Sequence, residues 1–90
     1  MYVIRFDSAA QPDMPPLFLS NQRVAMAARA KLTCVESDLR VFVMRSDAEA
    51  AARGGPRIQR TLKRERLVAS VVALASTKRH LAKPEDAGQW

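Results

Sequence analysis

The sequence is poor in the residues that build chemistry. It has one cysteine, Cys34, and one histidine, His80. A single thiol closes no intrachain disulfide, which excludes the small secreted disulfide scaffolds. One thiol and one imidazole also fall short of the four ligands of a structural zinc site. The three glycines form no phosphate-binding loop and no dinucleotide motif, and no nucleophile elbow is present. The longest apolar run, residues 67–75, spans nine positions and includes Ser70. A membrane span needs about 20. The apolar start of the chain is broken by Arg5, so no secretory leader is expected. The acids are scattered, and none has the spacing of a metal or glycosidase pair. No enzyme, metal or cofactor is expected, and a lone thiol fits a reducing cytoplasm.

What is present suits one small domain. Its 90 residues are 48% hydrophobic with a net charge of +6, which excludes collagen and a disordered polyelectrolyte. Residues 1–83 read as a single α+β domain and 84–90 as a flexible tail. In residues 2–6, Tyr2, Ile4 and Phe6 alternate with Val3 and Arg5, the period of a half-buried strand. Pro12, Pro15 and Pro16 mark a loop. Leu17-Phe18-Leu19 predicts a second strand antiparallel to the first. An Ala-rich stretch from Gln22 to Lys31, preceded by Ser20 and Asn21 as caps, predicts a short helix.

Residues 32–35 and 39–44 predict a hairpin. Leu39, Val41 and Val43 fall on one face of its second strand, with Arg40, Phe42 and Met44 on the other. Ser46-Asp47-Ala48-Glu49 has the form of a capping box, with Gly54 expected in the left-handed C-terminal position. From Arg57 to about Leu81 no Pro or Gly intervenes, which predicts a long basic and then apolar helix, straight or kinked. The expected architecture is a small antiparallel sheet of about four strands packed with two or three helices.

Charge is the strongest functional signal. Residues 53–83 hold nine positive groups against Glu65 alone, a local excess of +8. The remainder carries six positive and eight negative groups, or −2. Arg57, Arg60 and Arg64 share one side at helical spacing, with Lys63 beside them. Together with Arg53, Arg66, Lys78 and Arg79 they are the candidate contacts to nucleic acid or an acidic protein, where arginine forks grip phosphate and release counterions. The plainer reading is a solvated face that keeps the protein soluble.

Other signals have plain readings too. Arg53-Gly54-Gly55 is one Arg-Gly-Gly triplet, which a helix end explains. An exposed Arg40–Phe42 face would stack bases, but so few aromatics are expected to fill the core. Cys34 reads as a small hydrophobe in a strand. His80 follows Lys78-Arg79, and its nearest acids, Glu85 and Asp86, lie beyond Pro84, so it reads as a surface or phosphate-contact histidine. The run 67–75 reads as core or as an interface, with Leu67, Val71 and Leu74 as contacts to another protein or a second copy. Small residues there would let helices approach closely.

In style the chain is short and Ala/Arg-rich, with an opening strand and no catalytic signature. It resembles small accessory proteins of bacteria and their phages. That resemblance implies docking on a larger machine, including inhibition of host defence complexes, and carries over no residue. Two functions are therefore expected. The first is a non-enzymatic regulator docking on nucleic acid or a nucleoprotein complex through the basic helix. The alternative is a protein-interaction module or inhibitor of a host complex that uses apolar and sheet surfaces.

Overall fold

The computed structural model describes residues 1–21 and 31–81. Four strands form one antiparallel sheet: β1 (Tyr2–Ser8), β2 (Leu17–Leu19), β3 (Leu32–Thr33) and β4 (Leu67–Ala73), in the order β3-β2-β1-β4. Two helices, α1 (Arg45–Gly54) and α2 (Pro56–Glu65), pack on one face, and a 3-10 segment, Leu74–His80, follows β4. The architecture is α+β.

The alternation in β1 sets the two faces. Ile4 and Phe6 join Leu19, Phe42, Ala48 and Ile58 in the core beneath the helices. Val3 turns to the other face and is fully buried there, beside Phe18 and Leu39. That second face is covered in part by Val72, Leu74 and Leu81, so β1 is more deeply enclosed than a half-buried strand. Farther along it, Arg5 and Asp7 form an ion pair at 3.0 Å. The expected pairing across the proline loop is present, with Arg5 opposite Phe18 and Phe6 opposite Leu17. Ser8 Oγ accepts from the Gln11 amide at 3.0 Å as the chain leaves β1.

The expected helix from Arg57 to Leu81 is not formed. It ends at Glu65, and Arg66 adopts a left-handed conformation (φ 53°, ψ 51°) with its amide on the Leu62 carbonyl. The chain then reverses into β4, which pairs with β1 along its full length, from Tyr2 opposite Ala73 to Ser8 opposite Leu67. Val68, Val71 and Val72 explain the outcome, because β-branched side chains favour a pleated surface. An apolar run that looks greasy on every face of a helix is also what a strand with apolar residues on both sides requires. Leu67, Ala69 and Val71 pack beneath the helices, while Val72 meets the opposite cluster.

The predicted hairpin of 32–35 with 39–44 is also corrected. β3 pairs with β2, and Leu39 and Phe42 make only isolated bridges, to Ser20 and Tyr2. The buried residues of this segment are Leu39 and Phe42, three apart. The segment crosses the end of the sheet, so alternation does not apply.

Helix α1 starts at Arg45 after Met44, with no side-chain cap, so the expected capping box is not made. Glu49 instead faces Arg45 at 3.1 Å and Arg53 at 3.5 Å. Gly54 is helical, and no described glycine has positive φ. Gly55 separates the helices. A Cβ there would lie 3.1 Å from the Ala51 carbonyl, tight packing that favours glycine. Most of the helix expected at 22–31 and all of the tail at 84–90 lie outside the described residues.

Candidate anion-binding helix face

Helix α2 begins with Pro56 in its first turn, where the missing amide costs no hydrogen bond. Ile58 and Thr61 are buried and Leu62 is half-buried, at the i, i+3, i+4 spacing of an inward stripe. Thr61 Oγ donates to the Arg57 carbonyl at 2.9 Å, which satisfies its hydroxyl inside the helix. Gln59 fixes the two helices to each other. Its Nε2 donates to the Ala52 and Arg53 carbonyls at 3.0 and 3.1 Å, capping the end of α1.

The inward stripe determines the outward one. Arg57, Arg60, Lys63 and Arg64 are all exposed. None of the four forms an ion pair among the described residues. The first turn of α2 has no acid. Lys63 and Arg64 sit in the last turn, where cations suit the helix dipole, but Arg57 sits in the first, where the dipole disfavours them. Helix stability thus accounts for the pair at the C-terminal end and not for Arg57.

The other candidate cations divide. Arg53, at the end of α1, is exposed but faces Glu49. Arg66 is exposed at the left-handed turn, and its carbonyl accepts from the Ala9 amide at 2.9 Å. Lys78 and Arg79 are exposed in the 3-10 segment. That segment follows the opposite end of β4 and packs through Leu74 on the face away from the helices. Of the eight cations, six lie at the end of α1, along α2 and at the turn that follows it, while Lys78 and Arg79 lie in the 3-10 segment beyond β4. Within the run 53–83, strand β4 intervenes between the two groups.

The remaining candidates are placed as follows. Phe6, Phe18 and Phe42 are buried and Tyr2 is half-buried, so the rings serve the core and give no exposed stacking platform. Arg40 instead lies over the Phe42 ring, 5.2 Å from its centre. Cys34 is exposed just beyond β3, contrary to its reading as a strand hydrophobe. His80 Nε2 accepts from Arg79 Nε at 3.2 Å. Leu67, Val71 and Leu74 are half-buried against the two cores, and they lie in β4 and the 3-10 segment after it rather than in the expected helix. No group of three or more metal-ligating side chains occurs among the described residues, and no described helix is long and apolar enough to cross a membrane.

One surface was not anticipated. Met1, Val43 and Met44 are exposed, Val43 by 76%. The Tyr2–Phe42 bridge brings Met1 alongside Val43. Reading 39–44 as a strand hid this cluster, although Val43-Met44 just before a polar helix start was a visible signal. No protein-family description matches this sequence, and comparisons with curated proteins and with solved structures likewise give no match.

Proposed function

We propose that this chain is a non-enzymatic binding protein that docks on a polyanion, nucleic acid or a nucleoprotein complex, through the outer face of α2. The observation that carries the reading is the row Arg57, Arg60, Lys63 and Arg64. It is exposed and without an ion-paired acid among the described residues, beside an α1 whose cations face Glu49. Arg57 adds weight, since a first-turn cation gains nothing from its own helix. Phosphates along the row would release counterions, so binding weakens steeply as salt rises.

The test is fluorescence anisotropy with random duplex and single-stranded DNA at two salt concentrations. Binding at low salt that falls with salt is expected; no binding at low salt removes the reading. A second reading, an interaction module or inhibitor of a host complex, draws on the exposed Met1, Val43 and Met44. There, apolar contact would supply affinity and charge mainly the association rate. Capture from bacterial lysate with and without nuclease separates the two: a partner lost on nuclease treatment favours the first, and one retained favours the second.

A further inference from the structure

Strand β4 is an edge of the sheet, and its chemistry is unlike that of a protected edge. It runs seven residues, Leu67–Ala73, with no proline and no charged side chain. Among the described residues it pairs with β1 alone. Edges are commonly blunted by brevity, lysine, proline or a bulge. β3, the other edge, has two residues.

The hydrogen-bond phase of β4 is fixed by its ends. The Leu74 amide donates to the Met1 carbonyl and the Ala9 amide to the Arg66 carbonyl, both at 2.9 Å. Antiparallel ladders alternate, so Val68, Ser70 and Val72 exchange bonds with β1. The backbone groups of Leu67, Ala69, Val71 and Ala73 point outward. Of these, the Ala73 carbonyl already accepts from Ser76 Oγ at 2.7 Å.

We propose that β4 pairs antiparallel with β4 of a second copy, on a two-fold axis at Ser70. In that register Ala69 of each copy opposes Val71 of the other, and the two exchange both hydrogen bonds. The Ala73 amide reaches the Leu67 carbonyl across the axis. Every outward position thus meets an outward position, a self-complementarity that an antiparallel two-fold pair requires. The side chains agree. Val68, 57% exposed, comes opposite Val72 of the second copy, and Ser70 meets Ser70. No charged side chain enters the new ladder, although each chain carries +6 overall. Salt therefore screens the repulsion between copies and strengthens pairing, the opposite sign to polyanion binding.

The test uses the full chain with Cys34→Ser throughout. Residues facing each other in a non-hydrogen-bonded antiparallel pair have Cα atoms about 4.5 Å apart, within disulfide reach. Ser70→Cys should form a disulfide-linked dimer on mild oxidation. Val68→Cys should not, since its two copies would stand about 13 Å apart along the ladder. Sedimentation equilibrium up to millimolar concentration should show a dimer that tightens with salt. Ala69→Pro removes an outward amide and leaves the β1 ladder whole, so it should weaken the dimer about tenfold or more. If that variant fails to fold, the Ser70→Cys result decides alone. A monomer at every concentration overturns the proposal. So does a dimer that cross-links no better through position 70 than through 68.

Discussion

Helices α1 and α2 are each ten residues long, adjoin at Gly55 and rest on the same sheet, yet they carry charge differently. In α1, Glu49 stands between Arg45 and Arg53 and opposes both. In α2, four exposed cations have no ion-paired acid among the described residues. Both helices bury a narrow inner stripe, Ala48 in α1 and Ile58 with Thr61 in α2. Similar packing with different outer faces separates what folding requires from what it leaves free. The inner residues answer to the core, while the outer row of α2 is under no such constraint.

The strongest way to break the comparison is to loosen α2 from the sheet. Ile58→Ala deletes a buried side chain from the main core, where truncations cost about 2–5 kcal/mol. A urea melt should show a loss in that range. A loss near zero would mean α2 is held by its turn and by Gln59 rather than by burial.

The next largest effect concerns binding. Arg57→Gln, Arg60→Gln and Arg64→Gln combined should lower the salt slope of DNA binding by about 0.9 for each phosphate that is no longer neutralised. The matched change in α1, Arg45→Gln with Arg53→Gln, should lower the slope less, because Glu49 already offsets one of those two charges. Equal effects from the two helices would show that the contrast between them has no functional meaning.

How far this was legible in the sequence differs by segment. Alternation in Tyr2–Phe6 and the prolines that follow identify β1, the loop and the β1–β2 pair, because those signals are local. Gly54-Gly55-Pro56 marks the break between the helices. The strand nature of 67–73 was not legible from apolar content, since a helix and a strand with apolar residues on both sides look alike there. The three valines favoured the strand, and a left-handed arginine, unusual for a residue with a Cβ, hid the boundary. Leu39 and Phe42 were misread because their burial follows from crossing two sheet positions in space, which no periodicity records. The cationic row of α2 was legible as spacing. That α1 carries no such row depends on where Arg45 and Arg53 stand relative to Glu49, which the helical spacing of four also contains.

A smaller effect sharpens the link between the helices. Gln59→Ala removes both side-chain donors to the end of α1. The Ala52 and Arg53 carbonyls can turn to water, so the loss should stay at about 0.5–1.5 kcal/mol. Hydrogen exchange should rise in the last turn of α1 more than in α2. An equal rise in both would assign Gln59 to the whole domain rather than to this junction.

The smallest expected effect removes the difference between the helices. Glu49→Gln releases Arg45 and Arg53, whose side chains are 63% and 79% exposed. Pairs this open to solvent contribute little, about 0–1 kcal/mol, so the melting curve should barely move. Electrostatics should respond more clearly. With Glu49 neutral, Arg45 and Arg53 lose the acid they face, and DNA binding at low salt should tighten with a steeper salt slope. If the slope holds while binding persists, the arginines of α1 lie beyond the reach of the bound polyanion. The contact is then confined to α2, and the ion pairs of α1 have no part in it.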